Sequence, residues 1–354
     1  MSTVKKLKYG VIGCGAIAEG RHLPAIKAIK DGIELAAFCD IVKDCADKMN
    51  NKFRGGKGKV FTDYKELIKE DLDAVLVLTP NNSHCEISVA ALNAGRHVLC
   101  EKPMAINYTE AQRMIKASKD SGKLLTVSYQ NRFRSDSLHL KKTCAAGELG
   151  DIYFAKAIAL RRRAVPTWGV FLDKEKQGGG PLIDIAAHSL DLTLFAMDNY
   201  EPAYCVGKTY HKLNSDTNTA NMWGDWDSEK FTVEDSAFGY VVMKNGATII
   251  IESSWALNTL NVKEAVIELC GTKGGADMPC EGKIRYNGVK DGKMYTDEPI
   301  FGNETNPSEL EHKCFANAIR GKDELYIKPE QAAAVTRIFE GIYISAKTDK
   351  PYIF

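Results

Sequence analysis

Short apolar runs alternate with amphipathic stretches through the first third of the chain. This rhythm predicts strands at residues 8–12, 33–39, 59–61, 74–78, 96–100 and 124–128. It predicts helices at residues 16–30, 63–70, 84–94 and 109–121. The run 74–78 is wholly apolar, as in a parallel strand that is buried on both faces. We therefore expect a doubly wound α/β domain over residues 1–127, with ligands at the carboxyl ends of its strands.

The rhythm changes after residue 128, where strands follow one another with few helices between them. These strands are predicted at residues 151–160, 203–211, 236–243, 247–255 and 264–270. The dipeptide Asn245-Gly246 is a strong signal for a two-residue hairpin turn. Two helices, at 307–320 and 329–347, close the chain. We expect residues 128–354 to form an α+β domain with a large, mainly antiparallel sheet, one face of which is open.

The first strand runs into a glycine-rich turn that is typical of a Rossmann dinucleotide site. Gly13 permits the tight turn, and Gly15 lets backbone N–H groups approach a pyrophosphate at the helix N-terminus. Asp40 ends the next strand, where a carboxylate accepts hydrogen bonds from ribose hydroxyls. This carboxylate would repel a 2′-phosphate, and Ile41 rather than an arginine or serine follows it, so NAD is favoured over NADP, although Lys43 keeps NADP open. A tight turn in another kind of α/β protein is the alternative.

The composition of the chain limits the expected classes of binding partner and the expected cellular compartment. The formal net charge is +1, so neither a nucleic acid nor an anionic membrane is expected as a partner. No apolar run is long enough to span a bilayer, and the N-terminal segment lacks the apolar core of a signal peptide. The 10 cysteines contain no C-x-x-C pair and are interpreted as reduced, small apolar side chains. A cytoplasmic enzyme fits these features.

A second motif joins a glycine run, residues 178–180, to a mostly apolar helix. Asp184 and His188 are four residues apart on this helix and therefore share one face. A carboxylate and an imidazole among apolar side chains are costly unless they are paired or used. A structural Asp–His pair in the core is one alternative. A metal site that adds Asp191 is another, although it lacks a clear third strong donor.

The tripeptide Glu101-Lys102-Pro103 follows the predicted strand 96–100 and faces the expected cofactor crevice. A lysine at this place can lie close to a nicotinamide and to a substrate hydroxyl. A surface lysine in a turn is the alternative.

In this order, the nucleotide turn, the Thr79-Pro80-Asn81…His84 loop, Glu101-Lys102-Pro103 and Asp184…His188 resemble the Gfo/Idh/MocA oxidoreductases over essentially the whole chain. The resemblance implies that Lys102, Asp184 and His188 are the catalytic set. It also implies a set of residues that line the cofactor: Gly13, Gly15, Ala16, Ile17, Asp40, Thr79, Asn81, His84, Glu101, Lys102 and Asn131. For Asn131 and its neighbour Arg132, ordinary loop solvation is equally open.

The chemistry of hydride transfer from a secondary alcohol supports these roles. The hydroxyl must lose its proton, and His188 can accept that proton near neutral pH. The ammonium group of Lys102 can stabilise the developing alkoxide, and Asp184 can orient the pair. No metal is needed.

Substrate recognition is expected from the stretch 161–169. Arg161 and Arg163 share one face of the strand, and with Trp168 they suit a polyhydroxylated ring. The substrate is thus expected to contact Lys102, Arg161, Arg163, Trp168, Asp184 and His188. A solvated basic edge with Trp168 in the core is the alternative. The loop 214–230 is either a lid or a subunit contact.

The leading hypothesis is an NAD-dependent oxidoreductase that acts on a ring secondary alcohol of a sugar, glycoside or cyclitol. One rival is a redox-assisted glycoside-cleaving enzyme with tightly bound NAD; a close variant has its bound cofactor recycled by a second sugar. A non-catalytic sensor of NAD or sugar is a further rival. The family resemblance also implies a homo-oligomer, dimer or tetramer, formed through the open face of the C-terminal sheet, which would need such cover.

Overall fold

The computed structural model describes residues 6–29, 32–216, 220–302 and 305–354. Lys30, the end of the predicted first helix, and residues 217–219 of the 214–230 loop lie outside the described residues. The chain forms two compact units. One comprises Met1–Phe133 and Thr305–Ala333, and the other comprises Arg134–Glu304 and Ala334–Phe354.

The first unit is built on a six-stranded parallel sheet. Its strands are β1 (Leu7–Ile12), β2 (Ile33–Cys39), β3 (Lys59–Phe61), β4 (Ala74–Val77), β5 (His97–Glu101) and β6 (Leu125–Ser128). They are arranged in the order β3-β2-β1-β4-β5-β6, which is the doubly wound Rossmann order. All four residues of β4 are buried, as the apolar run predicted. The predicted fold of this unit is confirmed.

Helices connect these strands. A π-helical turn, Ala18–His22, runs into α1 (Leu23–Ala28), and the others are α2 (Lys43–Arg54), α3 (Tyr64–Leu67), α4 (His84–Asn93) and α5 (Tyr108–Ser121). Asp63 and Asn107 cap α3 and α5 by accepting backbone N–H bonds. Ser83 precedes α4 without capping it; its hydroxyl lies 2.7 Å from Thr79 Oγ1 and 2.8 Å from the Pro80 carbonyl oxygen.

The second unit is built on a nine-stranded sheet. Its helices are α6 (Ser135–Ala145), α7 (Lys174–Gln177), α8 (Pro181–Asp184) and α9 (Ala186–Met197). Its first strands are β7 (Ile152–Leu160), β8 (Pro202–Tyr210), β9 (Ser236–Met243), β10 (Thr248–Ser254) and β11 (Lys263–Gly271). They are followed by β12 (Gly274–Asp277), β13 (Arg285–Lys290) and β14 (Lys293–Asp297).

The chain closes with α10 (Pro307–Ile319), α11 (Pro329–Thr348) and β15 (Tyr352–Ile353).

The strand order in this sheet is β14-β13-β12-β11-β7-β10-β9-β8-β15. Only the β7–β10 pair, among the described strands of this sheet, is parallel, so the sheet is mixed but mainly antiparallel, as predicted. The predicted hairpin joins β9 to β10, and Gly246 adopts the left-handed conformation with φ 89°.

The helix α10 extends the first unit beyond the predicted boundary at residues 127/128. Its Phe315 belongs to the apolar core beneath the parallel sheet and contacts Tyr9 of β1, with ring centroids 6.2 Å apart. The sequence prediction placed this helix with the second domain, because nothing local in its pattern shows which sheet it covers.

The helix α9 covers one face of the nine-stranded sheet. It packs against β7, β10 and β11, and residues 186–196 are all buried apart from His188. The other face carries exposed apolar side chains in register across neighbouring strands. Val206 pairs with Tyr240, and Tyr240 pairs with Ile250. Within the described residues, this second face is therefore left without a covering layer.

The helices and the cysteines can be compared with the expectations from composition. None of the helices in the described part of the chain has both the length and the apolar character that crossing a membrane requires. All ten cysteines are free thiols, and the four predicted in the core, Cys14, Cys39, Cys85 and Cys100, are buried.

Candidate active site

The glycine-rich turn follows β1 and uses its two glycines differently. Gly13 has φ 92°, and a Cβ there would lie 2.5 Å from the carbonyl oxygen of Leu78, so the fold itself requires glycine. A Cβ on Gly15 would meet nothing within 4 Å. Gly15, Ala16 and Ile17 are exposed between buried neighbours at the start of the helix. The turn thus leaves an open cradle where a pyrophosphate would approach backbone N–H groups.

Asp40, directly after β2, is fixed beside this turn. One carboxylate oxygen accepts the N–H of Cys14 at 2.8 Å, and the other accepts the N–H of Val42 at 2.9 Å. Each oxygen retains a further lone pair for a ribose hydroxyl. The cradle and the fixed carboxylate fit the pyrophosphate and the adenosine ribose of a dinucleotide.

His84 holds together the loops that follow β4 and β5. Its Nε2 lies 2.8 Å from the carbonyl oxygen of Thr79, and its Nδ1 lies 2.8 Å from that of Pro103. Burial lowers the pKa of this imidazole, and the contacts with the two carbonyl oxygens oppose that effect. The buried His84 side chain therefore holds the two loops together from the interior of the unit. Asn81, at the start of the turn before α4, is only 9% exposed.

Glu101, the last residue of β5, directs its carboxylate into the fold. One oxygen accepts the backbone N–H of Lys102 at 3.0 Å. The other accepts from Arg21 and lies 2.7 Å from Nε2 of His22. These contacts hold the backbone at Lys102 in place, and the expected contact of Glu101 with the cofactor stays a prediction. The Lys102 side chain itself is half-buried.

These contacts continue into a buried polar network. Arg21 Nη2 lies 2.9 Å from the Ser128 hydroxyl, which donates to Glu311 at 2.8 Å. Nδ1 of His22 lies 3.0 Å from Nε2 of His312. Burial, with a smaller effect of the Arg21 charge, lowers the pKa of His312 to about 3. The network thus combines one guanidinium, two carboxylates and two neutral imidazoles.

A metal ion is disfavoured in this network. His22, Glu311 and His312 are the one set of three candidate ligands found among the described residues, with ligand atoms within 4.8 Å of one another. However, Arg21 already places a cation there, with its Nη1 3.7 Å from a Glu311 oxygen. The possible ligand atoms of Asp184, His188 and Asp191, the alternative set, are not all within 4.8 Å of one another.

Asn131 lies in the 3₁₀ turn after β6 and is 8% exposed. Arg132 beside it is fully buried and donates to the Gln331 side chain at 2.7 Å. Ordinary loop solvation, the alternative for both residues, is therefore wrong.

In the second unit, Asp184 and His188 stand apart from their neighbours by exposure. The segment 181–196 is described throughout, and these two residues are the ones in it that are not buried. They lie at the junction of α8 and α9, where only Ile185 separates the two helices. The indole Nε1–H of Trp255 donates to Asp184 Oδ2 at 3.1 Å. Since Trp255 is fully buried, it fixes this carboxylate rigidly.

The glycine run before α8 packs against buried side chains of its own unit. A Cβ on Gly180 would lie 2.2 Å from the Glu234 carbonyl oxygen, and one on Gly179 would lie 2.0 Å from the Tyr343 hydroxyl. The Glu234 carboxylate accepts the N–H groups of Gly180 and Leu182 and the Tyr343 hydroxyl. Glu234 thereby caps the N-terminus of α8. This contact fixes the position of the short helix that carries Asp184.

The two arginines of the predicted substrate face are engaged within the second unit. Arg161 forms a bidentate pair with Glu264, with Nε 2.7 Å from Oε2, and its guanidinium lies 5.1 Å from the Trp223 ring centroid. Arg163 lies 3.3 Å from the Asn258 side-chain oxygen and 3.6 Å from Asp216. Both therefore have structural partners. The alternative that placed Trp168 in the core is wrong, because Trp168 is 48% exposed.

Several residues that shape these sites carried no recognisable signal in the sequence. Trp255 lies 71 positions from the carboxylate it holds. His22 and His312 lie 290 positions apart. The one usable hint was their residue type, since a tryptophan or histidine next to apolar strands and helices needs a polar partner.

Comparison with known proteins identifies two matching domain families. A family model described as "Oxidoreductase family, NAD-binding Rossmann fold" matches residues 7–129, and the "GFO/IDH/MocA C-terminal domain" matches residues 137–277. D-glucoside 3-dehydrogenase from Escherichia coli K12 is 32% identical over 98% of this chain and 97% of its own. Inositol 2-dehydrogenase from Salmonella paratyphi B is 34% identical over 41% of this chain and 43% of its own.

A solved structure, levoglucosan dehydrogenase in complex with NADH and levoglucosan, has the same fold. Its TM-score is 0.84 at 19% identity, and the alignment covers 98% of this chain and 99% of that one.

The two glycines of the nucleotide turn give a matched pair of variants. Gly13→Ala should lower the free energy of unfolding by about 1–3 kcal/mol, because it strains a left-handed residue against backbone atoms. Gly15→Ala should change it by less than about 0.5 kcal/mol, yet should weaken NAD binding about tenfold by filling the cradle. Urea unfolding and titration with NADH measure both effects. Unaltered NADH affinity in Gly15→Ala would contradict the assignment of the cradle.

The buried imidazole of His312 should make stability depend on acid. Its pKa is about 3 in the folded protein and about 6.5 when unfolded. The unfolded state therefore binds more protons between those values, and stability falls as the pH drops below 6.5. His312→Gln should reduce this slope by up to about 1.4 kcal/mol per pH unit. Urea unfolding at pH 7.5, 5.5 and 4.5 tests this, with the exposed His211→Gln as control; equal slopes in all three proteins would refute it.

Proposed function

The chain belongs to the GFO/IDH/MocA family of NAD-binding oxidoreductases, and we propose that it oxidises a ring secondary alcohol of a neutral glycoside, sugar or cyclitol. The predicted family, fold class and cofactor are confirmed. A glycoside is favoured among the substrates, because the relative that matches 98% of the chain is a glucoside dehydrogenase.

One observation carries the proposal. In an otherwise buried helical segment, the two residues that reach solvent are a carboxylate and an imidazole four positions apart, Asp184 and His188. Leaving two polar groups partly accessible at one point of a covered helix serves no packing purpose. The rigid hydrogen bond from Trp255 to Asp184 is typical of a preorganised catalytic group.

The proposed roles follow from the chemistry of alcohol oxidation. His188 accepts the proton of the substrate hydroxyl as the carbon–oxygen bond becomes a carbonyl. Lys102 stabilises the negative charge that develops on that oxygen, and Asp184 orients the imidazole. NAD, when bound, supplies the acceptor for the hydride that leaves the same carbon.

The residues that would hold NAD lie at the carboxyl ends of the parallel strands. Gly15 and its neighbours leave room for the pyrophosphate, and Asp40 offers its carboxylate to the ribose hydroxyls. The exposed Ile41 after Asp40 carries no charge that would attract a 2′-phosphate. The loops at Thr79 and Asn131 complete this proposed set.

Removing either proposed catalytic side chain should strongly reduce turnover. Lys102→Ala and His188→Ala should each lower kcat about 10²–10⁴-fold, the usual contribution of a positioned acid or base, while NADH affinity stays within about threefold. Lys116→Ala and His211→Ala, both exposed positions, serve as matched controls. Undiminished activity in either catalytic variant would exclude that residue from the mechanism.

The substrate class can be tested by following NADH formation with inositols, free hexoses, and alkyl and aryl glucosides. We expect glucosides to give the highest kcat/KM. Release of an aglycone without accumulation of NADH would instead identify redox-assisted cleavage by a retained cofactor. Binding of NAD and sugar without any turnover would identify the sensor.

We further propose that the chain forms a homo-oligomer through the uncovered face of its nine-stranded sheet. Tyr204, Val206 and Tyr240 are all more than one-third exposed there, and strand pairing places them side by side. Such a patch is typical of a protein–protein interface. The ten free thiols support a cytoplasmic location for this assembly.

A charge placed on this face should dissociate the assembly. Tyr240→Glu should shift the mass measured by light scattering to that of a single 39.0 kDa chain, because burying an unpaired carboxylate is costly. Tyr153→Glu is the matched control, since this exposed tyrosine points to the opposite face of β7. A wild-type protein that is already a single chain, or an assembly that survives Tyr240→Glu, would refute the interface.

A further inference from the structure

The second unit contains a groove of about 920 Å³ that the proposed catalytic roles do not use. One wall is the loop 167–176, with the exposed Trp168, and the other is the segment 225–232. A groove of this size is large enough for a small organic ligand.

The two walls are joined at both ends, so the groove is built into the fold. At one end the Thr167 hydroxyl donates to the Trp223 carbonyl oxygen at 2.8 Å. At the other end Thr232 donates its backbone N–H to Leu172 at 2.9 Å and accepts the N–H of Lys174 at 2.9 Å. These bonds fix the distance between the walls.

Aromatic contacts lead from the groove to the proposed catalytic carboxylate. The Trp168 ring lies 6.0 Å from that of Phe171, and Phe171 lies 6.4 Å from Trp255. Trp255 in turn donates to Asp184 at 3.1 Å. A ligand held against Trp168 therefore lies two ring contacts and one hydrogen bond from Asp184, within the same unit.

The charges of the groove disfavour an anionic occupant. Four acidic and three lysine side chains line it, which leaves one net negative charge. Two of the carboxylates already have lysine partners on their own walls: Asp173 lies 3.3 Å from Lys176, and Asp227 lies 2.8 Å from Lys230. A phosphate or nucleotide would meet no unopposed cluster of cations here. An uncharged ring that stacks on Trp168 fits both the charge and the aromatic surface.

We propose that this groove binds the aglycone of a neutral glycoside, with an uncharged ring, glycosyl or aryl, stacked on Trp168. The inference rests on the proposed oxidation of a glycoside and specifies which part of the substrate lies outside the reacting ring. In this proposal Trp168 determines which aglycone is preferred. The ring that is oxidised lies at Asp184 and His188.

The test compares kcat/KM for phenyl β-D-glucoside and for cellobiose with that for methyl β-D-glucoside. The wild type should prefer the ring-bearing substrates at least tenfold, and Trp168→Ala should remove that preference. Trp168→Phe, which keeps an aromatic face, should retain most of it. The matched control Tyr153→Ala, an exposed aromatic outside the groove, should leave the ratio unchanged. A preference for phenyl glucoside alone identifies an aryl aglycone, and one for cellobiose alone a glycosyl aglycone.

An equal loss on all three substrates in Trp168→Ala, or an unchanged ratio, would overturn the proposal. So would a wild type without any preference, or one that prefers 4-carboxyphenyl over phenyl β-D-glucoside. Calorimetric titration with phenyl and methyl glucosides in the absence of NAD separates the groove from the chemistry. If no glucoside is oxidised but tighter binding of phenyl glucoside is lost in Trp168→Ala, the proposed oxidation fails and the groove stands.

Discussion

The packing of α9 against one face of the nine-stranded sheet is the constraint on which the second unit depends. The helix α6 also packs against α9, and together these contacts bury residues 186–196 apart from His188, so polar side chains reach solvent at the junction with α8. The packing on the sheet also anchors Asp184, because the strand β10 leads directly into Trp255, the donor to its carboxylate. The same one-sided cover leaves the opposite face of the sheet with apolar side chains exposed. One packing choice thus accounts for both the candidate catalytic pair and the candidate interface.

In the first unit, a comparable constraint is the buried network around Glu101. A carboxylate is expensive to bury unless cations and donors surround it, and Arg21, His22 and the Lys102 N–H do so. The helix α10 closes the network with Glu311 and His312. The backbone that carries Lys102 is therefore fixed by contacts from both ends of the sequence. Such support is what a precisely placed ammonium group needs.

The sequence predicted those features whose cause is local. Gly13, Gly15 and Asp40 belong to one strand–turn–helix–strand unit, and the spacing of Asp184 and His188 is one helical turn, so their geometry could be inferred from the pattern. The partners of these residues could not, because Trp255 and His312 come together with them only through long-range packing. The same limit applies to Arg161, whose partner Glu264 lies on a strand 103 positions away. It applies also to α10, whose apolar pattern suits either sheet.

Recognition in the two units rests on different physics, and the difference bears on the substrate. The nucleotide turn offers backbone N–H groups and one fixed carboxylate, which suit an anionic pyrophosphate and a ribose. In the second unit, Arg161 is neutralised by Glu264, and the carboxylates Asp173 and Asp227 are paired with lysines. Ion pairs that are already satisfied have little affinity left for a charged ligand. What remains available there is the exposed ring of Trp168, and an aromatic face selects for uncharged rings rather than for charge.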